Sequence, residues 1–388
     1  MTYDDLICFS HLRWSFVFQR PQHLLSRCAR SRRVFYIEEP LFDSEIPTLQ
    51  SHRDRSGVVV LVPHLPAELS DEQAASGVKS LLDRYLATHR IANYILWYYT
   101  PVALEFSRHL QPRAIVYDCM DELSAFAGAP PGLRDAEREL LSCADLVLTG
   151  GASLYESKRL LHPNVHAFPS SVDVPHFAQA RLQMREPDDQ VPISRPRLGY
   201  FGVVDERFDL PLLSDIAAER PDWQYVIIGP VVKIDPGTLP RSSNIHYLGQ
   251  KTYDELPRYI AGWDVALMPF ARNEATRFIS PTKTPEYLAA GRPVVSTSIR
   301  DVVRPYGQND LVSIADAPGD FIAAIEASLH GDHQARQSAA DSFLSGTSWD
   351  QTWTRINHLL ETVRQVPRAA RVPDTRAAAR AETRPSAG

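Results

Sequence analysis

Short apolar runs alternate with amphipathic stretches along most of this chain, and this alternation limits the folds that it can adopt. Stretches such as 71–89 and 132–144 have the spacing of amphipathic helices. Continuous apolar runs separated by helices are typical of parallel strands buried on both faces of a sheet. The runs of the first half lie at residues 6–10, 34–39, 58–63, 94–99, 114–118, 146–150 and 165–169. The pattern therefore predicts a doubly wound α/β fold.

The alternation stops once and then starts again, which predicts a second domain. Residues 181–196 are polar and rich in proline, as expected of a linker. Further apolar runs lie at 197–204, 223–230, 244–249, 264–270, 293–297 and 311–315. We expect two Rossmann-like domains, 1–185 and 186–348, that face each other across a cleft. Such folds bind ligands at the carboxyl ends of their strands.

The end of the chain differs from the rest in composition. Residues 349–366 have one more helical pattern, and residues 367–388 are rich in alanine, arginine and proline. The last segment has no apolar periodicity, so we expect it to be disordered.

Charge and cysteine content exclude several classes of function. The 388 residues have a formal net charge of −6, so no basic field argues for nucleic acid as a partner. The four cysteines form no CxxC pair, which favours reduced thiols in the cytoplasm over a disulfide framework or a zinc site. No segment reaches about 18 consecutive apolar residues. We expect a cytoplasmic protein, with peripheral contact at the inner face of the membrane as an option.

The stretch SPTKTPEYLAAGRPVVST, residues 280–297, predicts an anion site. Ser280-Pro281 and Thr284-Pro285 are both helix-start signals, so the helix begins at one or the other. Free backbone N–H groups at a helix start attract phosphate, whereas a lysine there is unfavourable without an anion. Lys283 therefore suits a diphosphate, and Glu286 suits the two hydroxyls of a ribose. The alternative is an ordinary surface pair of Lys283 with Glu286.

This stretch resembles the donor-nucleotide motif of the two-domain GT-B glycosyltransferases, in the broad group related to family 4. The resemblance implies that Glu286 binds the ribose and Lys283 meets the diphosphate of a nucleotide sugar, with UDP or GDP as the expected nucleotide. We place Ser280 and Thr282 in the same donor site. The resemblance also implies that neither a metal nor another cofactor is required.

Two further observations bear on the donor site. The segment 199–209, GYFGVVDERFD, looks like the first strand and turn of the nucleotide-binding domain, which implies that Gly202 and Arg207 lie close to the phosphates. Many retaining members of the family have a second glutamate where this chain has Phe278, and the nearest acid is Glu274. The stereochemical outcome therefore stays open.

SWDQTW (348–353) resembles the terminal helix that crosses back to the first domain in these enzymes.

The segment 11–27, HLRWSFVFQRPQHLLSR, follows the first predicted strand and is expected to face the cleft. It resembles a bacterial subgroup linked to cell-surface polysaccharide synthesis. His11 is a candidate general base, with a structural histidine as the alternative. Arg13, Arg20 and His23 are candidates for binding an anionic acceptor such as a lipid pyrophosphate, or else they only anchor the loop.

Acidic residues cluster in YDCMDE, residues 117–122, at the end of another predicted strand. Asp118 is a candidate for positioning the acceptor, and Asp121 is a candidate base. A structural cap is the alternative for Asp121.

The sequence thus predicts a glycosyltransferase that moves a sugar from a nucleotide-diphosphate donor to a hydroxyl of a glycan, glycolipid or other acceptor. The expected process is cell-surface polysaccharide or glycolipid synthesis. A sugar-nucleotide epimerase on the same fold and a non-catalytic nucleotide-sugar-binding homologue are the alternatives. A dinucleotide-dependent oxidoreductase is disfavoured, because no Gly-x-Gly-x-x-Gly fingerprint follows either domain's first strand.

Overall fold

A computed structural model describes residues 4–365 and contains two separate sheets. The disorder expected over 367–388 and the last residue of the 349–366 segment lie outside this range. Each sheet is predominantly parallel and has helices against its faces, so the predicted pair of doubly wound domains is confirmed. The proposed domain bounds at residues 185/186 and 348/349 stay predictions.

The first sheet has the strand order β3-β4-β2-β1-β5-β6-β7-β8. The strands are β1 Asp5–Ser10, β2 Val34–Glu38, β3 Thr48–Arg53, β4 Val59–His64, β5 Tyr94–Tyr98, β6 Ala114–Cys119, β7 Leu146–Thr149 and β8 Val165–Ala167. All pairings are parallel except that of β3 with β4. The strand β3 was not predicted, because its side chains are mostly exposed and polar at the edge of the sheet.

Helices cover both faces of this sheet. They are α1 Arg20–Cys28, α2 Asp71–Thr88, α3 Leu104–Ser107, α4 Leu133–Cys143 and α5 Ala152–Lys158, with single 3₁₀ turns at Pro101–Ala103 and Leu123–Ala125. The connection to the second sheet contains α6 Val174–Phe177 and a 3₁₀ turn at Ala178–Arg181. Apolar side chains that alternate along the strands form one core cluster on each side of the sheet.

The second sheet is parallel throughout and has the order β11-β10-β9-β12-β13-β14. The strands are β9 Arg197–Phe201, β10 Gln224–Ile228, β11 Ile245–Gly249, β12 Val265–Met268, β13 Val294–Ser296 and β14 Ser313–Ile314. The helices are α7 Leu210–Glu219, α8 Leu256–Ala261, α9 Lys283–Ala289, α10 Arg300–Val303, α11 Pro318–His330 and α12 His333–Leu344. Single 3₁₀ turns lie at Pro236–Thr238, Tyr253–Glu255, Glu274–Thr276 and Gly307–Asn309.

The last described helix, α13 Trp349–Gln365, packs on the first domain, as the resemblance implied. Its Trp349 side chain is 1% exposed and belongs to a core cluster of the first domain. At its start, Asp350 accepts hydrogen bonds from Arg27 at 2.9 Å and from Arg30 at 2.8 Å. Apolar burial and ion pairs therefore both attach α13 to α1.

Polar contacts also join the two domains beside the connection. The backbone N–H of Ser153, in the first turn of α5, donates to the Asp301 carboxylate at 3.1 Å. Glu156 accepts hydrogen bonds at 2.5 Å each from Arg300 of α10 and from Arg304, which follows that helix. These contacts fix one edge of the interface between the domains.

None of the helices within residues 4–365 is both long and apolar enough to cross a bilayer.

Substitution Trp349→Ala tests the attachment of α13. We expect a loss of about 3–5 kcal/mol in the free energy of unfolding, because a large buried aromatic side chain is removed. Urea unfolding followed by circular dichroism measures it. The exposed His358 on the same helix gives the control, His358→Ala, and equal stability of the two variants would contradict the described packing.

Candidate active site

A cleft of about 1050 Å³ lies between the two domains. The first domain contributes the loop after β1 and the loop after β6, and the second contributes the loops after β9, β10 and β11 and the start of α9. All these segments follow the carboxyl ends of parallel strands. The cleft is therefore at the edge where doubly wound folds place their ligands.

The first turn of α9 carries Lys283 and Glu286, and both side chains line the cleft. The helix begins at Lys283, so the predicted starts at Pro281 and Pro285 are both wrong. Thr282, the residue before the helix, makes no capping hydrogen bond with its side chain. The backbone before the helix forms a turn instead of a serine-capped start.

The segment before α9 is held by the connection between the domains. The Ser170 hydroxyl donates to the Ser280 carbonyl oxygen at 2.8 Å. Ser280 and Thr282 line the cleft beside Lys283, and their place in a donor site stays a prediction. The hydrogen bond from Ser170 restrains the backbone at Ser280.

Loss of water shifts the pKa values of Lys283 and Glu286 in opposite directions. Desolvation and then the nearby Arg207 guanidinium lower the pKa of Lys283 to about 8, and the Glu286 carboxylate opposes this shift. Desolvation raises the pKa of Glu286 to about 8, against the effect of Lys283. Glu286 is 5% exposed, and its Oε2 has no hydrogen-bond partner among the described residues. The cleft wall therefore has the Lys283 ammonium group next to a Glu286 carboxylate oxygen that has no hydrogen-bond partner among the described residues.

Gly202 lies against Lys283 where the loop after β9 turns away from the sheet. It has a φ of +142°, and a Cβ atom there would lie 2.1 Å from Cε of Lys283. Only glycine allows the loop backbone to approach the lysine side chain this closely. The structure therefore brings Gly202 and Lys283 together, as the sequence predicted.

Arg207 lines the cleft on the same loop and is held by Asp205. Its Nε and Nη2 donate to the Asp205 carboxylate at 3.0 and 2.7 Å. Burial tends to lower the pKa of Arg207, but Asp205 more than offsets this effect and the pKa is raised. Arg207 therefore stays charged and faces the cleft in a fixed position.

The sequence did not indicate a role for Phe126, a residue of the first domain whose ring lies near two cations of the second domain, Arg207 and Lys233. The ring centroid of Phe126 lies 5.3 Å from Cζ of Arg207 and 5.8 Å from Nζ of Lys233. The next residue, Ala127, donates its backbone N–H to Glu206 at 3.0 Å. The stretch around Phe126 has no apolar periodicity, so nothing in the sequence pattern indicated this contact.

A second missed part of the site is the segment after β11. Tyr253 lines the cleft and stacks on His176, with 4.1 Å between the ring centroids. The Phe18 ring of the first domain lies 4.6 Å from the Tyr253 ring. The rule that places ligands at the carboxyl ends of strands would have pointed to this segment, because β11 was predicted.

Asp121 lines the cleft from the first domain. Desolvation raises the pKa of its carboxyl group, whereas the positive charge of Arg207 lowers it. No hydrogen bond or salt bridge from a described residue engages this carboxylate. Asp121 therefore faces the cleft without a partner among the described residues, and its role as a base stays a prediction.

His11 takes a different position from the one expected. His11 is not among the residues that line the cleft. Burial and then the positive charge of Lys233 in the second domain lower the pKa of its ring to about 4, and a hydrogen bond with the Tyr99 backbone opposes that shift. Its Nδ1 has no hydrogen-bond partner among the described residues. These surroundings favour the neutral imidazole.

Arg20 and Asp118 form a buried ion pair, although both were predicted to bind an acceptor. Arg20 donates from Nε and Nη2 to the Asp118 carboxylate at 3.0 and 2.8 Å, and from Nη1 to the Phe168 carbonyl oxygen at 2.7 Å. Asp118 is fully buried and Arg20 is 3% exposed. These contacts use both side chains inside the domain, so direct contact of Asp118 with an acceptor does not fit the structure.

Arg13 and His23 are also engaged away from the cleft. Arg13 donates to Glu38 at 3.0 Å and to the Glu39 carbonyl oxygen at 2.6 Å. The His23 ring is 4% exposed and stacks on Trp349, with 4.5 Å between the centroids. Both side chains therefore anchor the loop after β1, which was the alternative to binding an acceptor.

Within residues 4–365 no group of three His, Cys, Asp or Glu side chains is arranged to hold a metal ion. The expectation that the reaction requires no metal stays a prediction.

Comparisons with known proteins agree with this arrangement. Residues 197–330 match the sequence model of a family described as Glycosyl transferases group 1. A teichuronic acid biosynthesis glycosyltransferase of Bacillus subtilis (strain 168), TuaH, is 27% identical over 252 residues, which are 60% of this chain. The chain spans 62% of the length of that relative.

Solved structures extend the likeness to nearly the whole chain. A sucrose-phosphate synthase from Thermosynechococcus elongatus is 12% identical with a TM-score of 0.68, covering 93% of this chain and 99% of that one. A UDP-forming α,α-trehalose-phosphate synthase from Burkholderia vietnamiensis is 14% identical with a TM-score of 0.67, covering 94% and 99%. A trehalose-6-phosphate structure from E. coli is 13% identical with a TM-score of 0.66, also covering 94% and 99%.

The fold is the GT-B fold of two facing Rossmann-like domains. Residues 197–330 match a group 1 glycosyltransferase domain, and the chain is similar to a glycosyltransferase of teichuronic acid biosynthesis.

Substitution Asp118→Asn tests whether the buried pair is structural. We expect a loss of about 3–5 kcal/mol in the free energy of unfolding, because Arg20 would remain buried without its counter-charge. The control is Asp135→Asn, which breaks an exposed pair with Arg138 and should cost no more than about 1 kcal/mol. Urea unfolding measures both variants, and wild-type stability of Asp118→Asn would contradict the assignment.

Proposed function

We propose that this protein transfers a sugar from a nucleotide-diphosphate donor to an acceptor hydroxyl, in the synthesis of a cell-surface polysaccharide or glycolipid. The observation that supports this most is the pair formed by Lys283 and Glu286. A cation and an unpartnered buried carboxylate oxygen lie one helical turn apart on the wall of the interdomain cleft. A diphosphate and the adjoining ribose supply the two partners that these groups lack.

The donor site is proposed to use the groups around the start of α9. Lys283 and Arg207 would meet the diphosphate, together with Ser280, Thr282 and the loop at Gly202. Glu286 would accept hydrogen bonds from the ribose hydroxyls. UDP or GDP is the proposed nucleotide, and the E. coli structure of the same fold is described as bound with UDP-2-fluoro glucose.

Catalysis is proposed to be mainly electrostatic. Negative charge develops on the leaving diphosphate as its bond to the sugar breaks. Lys283 and Arg207 lie at one wall of the cleft and are largely desolvated, and such charges stabilise a transition state more than they would in bulk solvent. Contact between the domains also excludes water and aligns the acceptor.

The acceptor is proposed to be a hydroxyl of a glycan or glycolipid. The teichuronic acid relative supports a surface polysaccharide as the product. Arg13, Arg20, His23 and Asp118 would act by holding the loops after β1 and β6 in place, because their own contacts lie inside the domain. A cytoplasmic location with peripheral contact at the inner membrane face, and a reaction without metal or other cofactor, complete the proposal.

The alternatives receive less support. The relatives described above are named as transferases or synthases, and none of them is named as an epimerase. Incubation with donor alone separates the reactions, since an epimerase needs no acceptor. Release of nucleotide diphosphate only when an acceptor is present would favour the transferase and exclude a non-catalytic homologue.

Substitution Lys283→Ala tests the donor site. We expect the affinity for UDP or GDP to fall by about tenfold to a hundredfold, because hydrogen bonds to charged groups contribute about 1.5–3 kcal/mol. Isothermal titration calorimetry measures this. The control Lys79→Ala removes a surface lysine that pairs with Asp83, and it should bind as the wild type does. Wild-type affinity of Lys283→Ala would remove Lys283 from the site.

The pH dependence of binding gives a second test. Lys283 loses its charge as pH rises through about 8, and Glu286 becomes charged over the same interval. A bound diphosphate favours the lysine cation, whereas ribose hydroxyls favour the ionised form of Glu286, so the two contributions to proton uptake oppose each other. Glu286→Gln isolates the lysine: in this variant, binding near pH 8 should take up protons and affinity should fall between pH 7 and 9. The last phosphate ionisation, near pH 6, lies outside that interval.

Calorimetry in two buffers of different ionisation enthalpy measures this proton uptake. Adding Lys283→Ala to the Glu286→Gln variant should reduce it. Affinity of Glu286→Gln that does not change between pH 7 and 9 would contradict the lowered pKa of Lys283.

A further inference from the structure

Two residues of the cleft wall each have a buried polar atom without a hydrogen-bond partner. One atom is Oε2 of Glu286, in the first turn of α9, and the other is the hydroxyl oxygen of Tyr253, in the 3₁₀ turn that follows β11. Among the residues that line the cleft within 4–365, only these two have such an atom in their side chains. Leaving a buried polar atom unpaired is unfavourable, so a ligand that supplies the missing partners gains affinity from both.

The Tyr253 ring is enclosed by rings from both domains. His176 stacks on it with 4.1 Å between the centroids and an angle of 8° between the planes, and the Phe18 ring lies 4.6 Å from it. Phe177 and His23 meet it edge-on, each with 5.6 Å between the centroids. A ring that is packed on this many sides cannot swing toward another partner. The Tyr253 hydroxyl therefore has one fixed position in the cleft wall.

The Tyr253 hydroxyl lies close to the Glu286 carboxylate without bonding to it. Burial raises the pKa of Tyr253, and the negative charge of Glu286 is the next largest cause of that rise. No hydrogen bond joins the two groups. A ligand atom between them has to accept a hydrogen bond from the phenol and donate one to the ionised carboxylate. A hydroxyl group does both, whereas an ionised phosphate oxygen only accepts.

The position of Tyr253 along the sheet indicates which hydroxyl of a nucleotide lies there. Tyr253 follows β11, whereas Lys283 lies against Gly202 after β9, and these two strands are about 10 Å apart with β10 between them. The charge of Glu286 acts on both Lys283 and Tyr253, so Glu286 adjoins the proposed phosphate site on one side and Tyr253 on the other. In a nucleoside 5′-diphosphate the 3′-hydroxyl is nearer to the phosphates along the ribose, and the 2′-hydroxyl is nearer to the base. The 2′-hydroxyl is therefore the one on the Tyr253 side.

We infer that Tyr253 and Glu286 together bind the 2′-hydroxyl of the donor ribose and so select ribonucleoside diphosphate sugars over 2′-deoxyribonucleoside ones, an inference that rests on the transferase function proposed above. The Tyr253 hydroxyl donates to the 2′-oxygen, and the 2′-hydroxyl donates to Oε2 of Glu286. A 2′-deoxy donor, such as a thymidine diphosphate sugar, leaves both of these protein atoms unpaired. A site that hydrogen-bonds a substrate hydroxyl rejects the analogue without that hydroxyl for this reason.

Two pairs of nucleotides that differ only in the 2′-hydroxyl test this selection. They are UDP with 2′-deoxy-UDP and GDP with 2′-deoxy-GDP, each titrated into the full chain in a calorimeter. Whichever base the site accepts, we expect the ribonucleotide to bind at least about tenfold more tightly than its 2′-deoxy form, because the hydrogen bonds to Tyr253 and Glu286 are lost together. Equal affinity of the two members of the pair overturns the inference.

Substitution Tyr253→Phe tests the part played by the tyrosine hydroxyl, because it keeps the ring and its packing. We expect affinity for the ribonucleotide to fall about threefold to tenfold, and affinity for the 2′-deoxy nucleotide to stay unchanged. The 3′-deoxy form of the same nucleotide retains the 2′-hydroxyl, so its affinity should fall as that of the ribonucleotide does. The control Tyr247→Phe removes a hydroxyl that donates to the Pro240 carbonyl oxygen at 3.1 Å, at a residue that does not line the cleft, and it should keep the wild-type ratio of affinities.

The outcomes separate this inference from the proposed function. If Tyr253→Phe keeps the wild-type ratio of ribonucleotide to 2′-deoxynucleotide affinity, or weakens the ribonucleotide and not its 3′-deoxy form, the inference is wrong although nucleotide binding stands. Unchanged binding of the 2′-deoxy nucleotide also shows that the variant is folded. A wild-type protein that binds neither UDP nor GDP removes the proposed function itself, and the inference with it.

Discussion

The structure depends on a lysine ammonium group that is partly buried in the wall of the interdomain cleft. A cation in the first turn of a helix is opposed by the helix dipole, and loss of water adds to that cost. In Lys283 both effects act together, and only Glu286 offsets them within the same turn. A site that holds such a cation is already organised for an anion. A bound anion offsets both the unfavourable helix dipole and the lost hydration of the ammonium group.

The rest of the fold keeps this arrangement in place. Two parallel sheets direct the carboxyl ends of their strands toward one cleft, so loops from both domains meet there. Gly202 allows the loop after β9 to contact Lys283, and Asp205 orients Arg207 beside them. The Arg20–Asp118 pair has the corresponding function in the first domain, where it ties α1 to β6 beneath the loop that carries Asp121. Each wall of the cleft therefore has its own buried ionic support.

The sequence predicted the buried strands, the two sheets and the presence of Lys283 and Glu286 in one helical turn, because these depend on local signals. The exposed edge strand β3 was not predicted, and the donor site itself stays a proposal. Apolar runs report buried strands, and the Lys283–Glu286 spacing lies within one helical turn. The acceptor wall was predicted less well. Arg20 and Asp118 are 98 residues apart in the chain, and no local pattern indicates that they pair with each other. Phe126 and Phe278 make contacts between domains, which depend on how the two sheets meet and not on either sheet alone.

The Ser170–Ser280 hydrogen bond joins the interdomain connection to the peptide that precedes Lys283. A rotation of one domain against the other would therefore move the backbone before Lys283 together with the connection. In the donor site proposed above, the angle between the domains would then set the geometry around the phosphates. The motion that releases a spent nucleotide would take that site apart without a separate lid.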